Sequence, residues 1–185
     1  IANITVLPGQ AGTCPTLGFD TGPANMLMDA WTQEHTGQGY DADGCWAASG
    51  QADSALLKRL LTHAYFSKPA PKSTGRETFS LSWLKTQLAS EERDIAAADV
   101  QATLAELTAI SVCDAIKQSC QGLSGEVLVC GGGANNTHLM ARLQHHLPAW
   151  RIASTASKGI DPQWIEALAF AWLARQMISG LPGNL

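Results

Sequence analysis

The sequence predicts an α/β domain, a mixed sheet flanked by helices, and three features of the chain predict it. Short apolar segments at Ile4–Val6 and Thr16–Asp20 read as neighbouring strands. A continuous apolar run at Val127–Cys130 reads as a strand covered on both faces, and the intervening segments carry apolar residues at helical spacing. At 185 residues the chain is near the size at which roughly 70% of the unfolded surface is buried, enough for one core. No internal repeat or low-complexity segment interrupts it.

Ile4, Thr5 and Val6 lead into a turn at Pro8-Gly9, and Thr16 to Asp20 forms the next strand. From Asn25, the spacing of Met26, Leu27, Ala30 and Trp31 predicts a helix that stops near Gly37-Gln38-Gly39. A loop with Tyr40-Asp41-Ala42-Asp43-Gly44 follows, and Leu56, Leu57, Leu60, Leu61 and Ala64 signal a second helix. Pro69, Pro71, Ser73, Thr74 and Gly75 mark a long irregular segment before Phe79 to Leu88 turns helical again. Asp99 reads as the N-cap of the longest helix, where Val100, Leu104, Leu107, Ile110, Val112 and Ile116 form a wide apolar face before Gly122 ends it. Such a face implies burial on more than one side. The apolar run at Val127 then enters Gly131-Gly132-Gly133, a helix from His138 to Leu147 and a strand at Arg151 to Thr155. Asp161-Pro162 opens the last helix as N-cap and first residue; Ile165, Leu168, Ala169, Trp172 and Leu173 are its inner face, and Gly180 closes it.

A formal net charge of −4, with no charged block or basic stripe, points away from nucleic acid and from a membrane surface. No apolar run reaches the roughly 18 residues of a spanning helix. The amino terminus has neither a basic leader nor a starter Met, so the chain reads as cut from something longer. The five cysteines are scattered without a C-x-x-C pair or zinc spacing, the usage of a reduced, cytoplasmic protein. Cys113, Cys120 and Cys130 are expected to serve packing. His138, His145 and His146 lack an H-E-x-x-H pattern and read as a solvated helix face, and no metal ligand is assigned.

Chemistry concentrates at three places. Asp20 ends an apolar strand before a tight turn and a helix, which puts a carboxylate at the carboxyl edge of a sheet, where open α/β sheets bind ligands. The plainer reading is that it caps the helix or shapes the turn. Gly131 to Gly133 leave a strand and lead into a helix, so backbone amides can approach a nucleotide; an ordinary turn fits as well, and G-x-G-x-x-G is not matched. Lys72-Ser73-Thr74 lacks the preceding glycines of a P-loop, and the loop either meets a charged ligand through Lys72 and Arg76 or is simply solvated.

Taken in order, Ile1–Leu7, Gly18-Phe19-Asp20-Thr21-Gly22-Pro23, Asn25–Asp29, Tyr40–Gly44, Pro71–Glu77, Asp99–Leu104, Val129–Ala134 and Glu166-Ala167 with Phe170-Ala171 resemble the anhydro-N-acetylmuramic acid kinases. The resemblance covers essentially the whole chain. It implies one lobe of the actin-like ATPase and sugar kinase fold, residues 1–185 corresponding to the carboxyl-terminal lobe, with the amino-terminal lobe and its phosphate loop absent. A departure lies at Ala24, where the family usually has Gly, and it bears on local backbone freedom.

The resemblance further implies an ATP- and Mg²⁺-dependent enzyme of cell-wall recycling. It would open the anhydro ring of an amino sugar substrate and phosphorylate it. Asp20 would be the general base; Thr21, Gly22, Asn25 and Glu166 would meet the sugar; Gly131, Gly132 and Gly133 would receive the adenosine end of ATP. Glu166 fits equally an acidic first-turn residue favoured by the helix dipole. The resemblance admits a homodimer. Two other readings stay open, a non-catalytic lobe or binding module and a sugar kinase acting on an ordinary hydroxyl.

Overall fold

The computed structural model describes residues 1–7, 16–91 and 93–183; the turn expected at Pro8-Gly9 and Cys14 lie outside them. Strands β1 (Ala2–Val6) and β2 (Leu17–Gly22) pair antiparallel, with Ile4 opposite Phe19 and Asn3 opposite Asp20. Both apolar partners are buried, so the period-two alternation fixes which face meets the core. Helix α1 (Asn25–Thr36) follows at once and ends at Gly37, whose φ of 74° and N–H donated to Gln33 O make a left-handed cap. Its buried residues are Leu27, Met28, Trp31 and Thr32; the inner stripe is thus turned from the expected one, with Met26 and Ala30 at its margin.

Two short helices come next, α2 (Cys45–Ser49) and α3 (Ser54–Leu61). Asp53 caps α3 by accepting from Ala55 N and Leu56 N, and the helix buries Leu56 and Leu60, while Ala64 falls in the turn beyond it. Helix α4 (Leu81–Ala89) is capped by Ser80. Helix α5 (Ala97–Ser119) is the centre of the molecule: α1, α2, α3, the hairpin and a later helix all pack on it, and every residue from Val100 to Ala109 is buried. The wide apolar face predicted this. The predicted cap did not hold: the N-cap is Ala96, and Asp99 sits two residues inside the first turn. There it suits the positive end of the helix dipole and accepts the Gln51 N–H at 2.7 Å.

Strand β3 (Glu126–Val129), helix α6 (Thr137–His146) and strand β4 (Arg151–Ser154) form a parallel crossover, with Val127 opposite Ile152. Antiparallel and parallel pairs, expected in one mixed sheet, are here two separate two-stranded ladders. The expected burial of β3 on both faces is also not observed, since Leu128 is 41% exposed. Helix α7 (Ile165–Ile178) follows a 3-10 turn at Pro162–Trp164 that Asp161 caps. It has no buried residue at all: Phe170 is 71%, Met177 84% and Ile178 87% exposed. The inner face read from its spacing therefore has nothing covering it among the described residues. Periodicity specifies that a face is apolar, not what meets it. Among the described residues no helix is long and apolar enough to cross a membrane.

Cys113 is buried as expected, but Cys45 and Cys130 are exposed, so Cys130 does not serve packing. In the histidine cluster His145 is exposed, as a solvated face requires, but His146 is turned to Glu106. Glu106, buried in mid-α5, takes Arg142 Nε at 2.7 Å, Arg142 Nη2 at 2.9 Å and His146 Nε2 at 2.7 Å. Burial alone would raise the Glu106 carboxyl, and the two basic partners more than offset it, holding it below its ordinary range.

Ala24, the residue before α1, has φ 51° and ψ −144°, a region that only glycine enters freely. Such strain costs about 1–3 kcal/mol, against which glycine adds about 0.4–1 kcal/mol of unfolded-state entropy. Ala24→Gly is therefore expected to stabilise the fold by about 1 kcal/mol, read as a higher thermal midpoint; a lower midpoint would show the strain to be absent.

Candidate functional site

Asp20 caps no helix, because the N-cap of α1 is Ala24 and carries no side-chain bond. Its position near the carboxyl end of β2 comes instead from strand pairing, with Asn3 of β1 opposite. Oδ2 accepts the Thr74 N–H at 3.0 Å, and no hydrogen bond to Oδ1 is made by the described residues. Asp20 lines an open recess of about 500 Å³ with Asn3, Thr5, Gly18, Lys72 and Ser73.

The residues next to it are turned inward. Thr21 is buried and donates its hydroxyl to Ala2 O at 3.3 Å. A Cβ on Gly22 would stand 2.9 Å from Ser111 Oγ and 3.2 Å from Phe66 Cε1, so this position requires glycine for close packing. Both therefore shape the turn through backbone and packing.

Asn25, the first residue of α1, belongs to a second cavity of about 480 Å³, whose walls include Asp29, Asp41, Gly132, Asn135 and Asn136. Its Oδ1 is buried without a hydrogen-bond partner among the described residues, an orphan acceptor of the kind that calls for a ligand or water. Its Nδ2 lies 3.3 Å from where a Cβ on Gly132 would be. The fold thus brings Asn25 and the glycine turn together across roughly a hundred residues of sequence. Gly131 has φ 70° and ψ −168°, again glycine territory, and donates its N–H to Pro162 O at 2.9 Å. Asn136 then caps α6, accepting from Leu139 N at 2.8 Å.

Burial raises the Asp29 carboxyl, and Asp41 adds to it. Glu166 is exposed in the first turn of α7. Among the described residues no group of three or more His, Cys, Asp or Glu is placed to hold a metal ion.

The whole of residues 1–185 matches the family of anhydro-N-acetylmuramic acid kinases. The chain belongs to the anhydro-N-acetylmuramic acid kinase family. The kinase of that name from Chromohalobacter salexigens is 54% identical over 188 residues, covering 100% of this chain and 50% of the relative. Those from Thiobacillus denitrificans and Saccharophagus degradans are 54% and 49% identical, again over 100% of this chain and 49% and 48% of theirs. The chain spans about half the length of the curated anhydro-N-acetylmuramic acid kinases it matches. A kinase family is consistent with use of ATP.

The solvated reading of the 72–76 loop holds for Arg76 but not for Lys72. Its ammonium is half-buried and donates to Tyr65 O and Phe66 O, each at 3.1 Å, while Arg76 is exposed. Burial, reinforced by Lys68, lowers the Lys72 amine. Sequence reasoning missed Tyr65, which donates its hydroxyl to Asp20 O at 2.7 Å. The only signal for it is that a buried tyrosine needs a partner for its hydroxyl, which says nothing of which partner.

Proposed function

We propose that the protein to which this chain belongs is an ATP-dependent kinase that opens the 1,6-anhydro ring of anhydro-N-acetylmuramic acid and phosphorylates the sugar at O6, with residues 1–185 as its carboxyl-terminal lobe. The observation that carries this reading is Asp20, in a chain of this family. One carboxylate oxygen is fixed by the Thr74 amide, the other receives no hydrogen bond from the described residues, and Asp20 lines a recess. In this reading Asp20 takes a proton from water as the water oxygen bonds to the anomeric carbon. The bond from that carbon to O6 breaks, and O6 bonds to the γ-phosphorus with ADP leaving. General-base assistance of this kind contributes about 10²–10⁴-fold.

ATP supplies the phosphoryl group, and the residues present fit a nucleotide. The orphan Asn25 Oδ1, the close approach at Gly132 and the glycine-only backbone at Gly131 together describe a cradle with one buried acceptor left for a donor group of the ligand, such as a ribose hydroxyl or the adenine amine. Asn25 and Gly131 to Gly133 would hold it. Asn25 also borders the Asp20 turn and so stands between sugar and nucleotide; Glu166 and the backbone of Thr21 and Gly22 complete the sugar side. Among the described residues no group of three or more His, Cys, Asp or Glu is placed to hold a metal ion, so Mg²⁺ would be held largely by the ATP phosphates.

ADP release by the full-length protein, measured on anhydro-N-acetylmuramic acid and on ordinary N-acetylated amino sugars, tests the proposal. Turnover confined to the anhydro sugar is expected, by at least about 10²-fold. Comparable turnover of a sugar with a free O6 hydroxyl would replace ring opening with simple hydroxyl phosphorylation.

A further inference from the structure

We propose that Lys72 and Tyr65 are positioning residues for Asp20: together with the Thr74 amide they form a closed strap that fixes the carboxylate for proton transfer. The proposal rests on the reading of Asp20 as the general base. Three hydrogen-bonding groups of Asp20 are engaged by one segment. Its N–H goes to Lys72 O at 3.0 Å, its C=O takes the Tyr65 hydroxyl at 2.7 Å, and its Oδ2 takes Thr74 N–H at 3.0 Å. β2 thus has β1 on one side and the 72–74 segment on the other, which acts as a short third strand at this one residue.

What closes the strap is the lysine side chain. The backbone of Lys72 holds Asp20 N–H, and its ammonium reaches back to the carbonyls of Tyr65 and Phe66, at 3.1 Å each, lying 4.7 Å above the Tyr65 ring. Tyr65 is 2% exposed and sits edge-on to Phe79, so its hydroxyl has little freedom to leave Asp20. Burial, then the Asp20 charge, pushes the Tyr65 phenol up to about 12, which keeps it protonated and a donor. The circuit runs Asp20, Lys72, Tyr65 and back to Asp20, with no loose end. A displacement of about 1 Å at a reacting group costs on the order of 10²-fold in rate, which is the scale on which such a strap acts.

The full-length protein carries the test. Tyr65→Phe, which removes one oxygen atom, and Lys72→Met are each expected to lower kcat by about tenfold with KM for both substrates within about twofold, and Lys72→Arg to recover most of the loss because a guanidinium can also serve two carbonyls. Residues acting through one group are not additive, so in an Asp20→Asn background Tyr65→Phe should change turnover by less than about twofold. If Lys72→Met fails to melt cooperatively, Tyr65→Phe alone carries the measurement. Wild-type kcat in a folded Tyr65→Phe, or losses that multiply in full with Asp20→Asn, would overturn the strap and leave the base in place. Wild-type turnover in Asp20→Asn itself would remove the base, and the strap's purpose with it.

Discussion

Asp20→Asn in the full-length protein is expected to lower turnover by about 10²-fold or more while sugar and ATP affinities stay within a few-fold of wild type. The amide keeps the planar shape, and its oxygen can still accept the Thr74 N–H that now holds Oδ2. Backbone pairing to Asn3, Lys72 and Tyr65 is untouched, because the substitution alters only the tip of the side chain. What is lost is the capacity to take a proton. The loss therefore falls on kcat, and ADP release under saturating substrates reads it directly. Turnover near wild type would remove Asp20 from the chemistry.

Residues 1–185 by themselves are expected to phosphorylate no sugar, to bind ATP weakly and to self-associate. The chain spans half the length of its curated relatives, and in a two-lobed kinase the second half would supply the other side of both ligands. Phosphoryl transfer relies on holding both reactants in line, and effective molarities of about 10⁵ M or more come from that positioning, so the rate should vanish rather than decline. Self-association follows from α7, whose Phe170, Trp172, Met177 and Ile178 all lie in solvent. Sedimentation and ADP release measure the two effects. A monomeric 185-residue chain that made sugar phosphate would overturn the two-lobe reading.

The parts of the fold legible in the sequence were those governed by local rules. Strand signals found β1 and β2, a wide apolar face made α5 the core, and glycine marked the cap at Gly37 and the turn at Gly131. Where residues compete for one role, local rules were insufficient. Asp99 has the chemistry of an N-cap, yet the helix starts earlier because Trp31 Nε1 binds Ala97 O and Asp99 is drawn to Gln51. The inner face of α1 includes Thr32, which a hydrophobic count omits, because Gln101 donates to it inside the core. At the candidate site, Asp20 and the glycine turn were legible as motifs, but their surroundings were not. Tyr65, Lys72 and Asn25 acquire their roles across 45 to 107 residues of chain, and no spacing rule reaches that far.

The ion pair between α5 and α6 has a mechanical meaning. Glu106 is buried in the middle of α5, and both of its partners, Arg142 and His146, stand one turn apart on α6. Sliding or rolling one helix along the other would strand a desolvated charge, at about 3–5 kcal/mol, so the pair has a single seating, like a key in its slot. Since the glycine turn leads through the 3-10 turn at Gly132–Asn135 into α6, the seat that fixes α6 on α5 also anchors the downstream end of that turn.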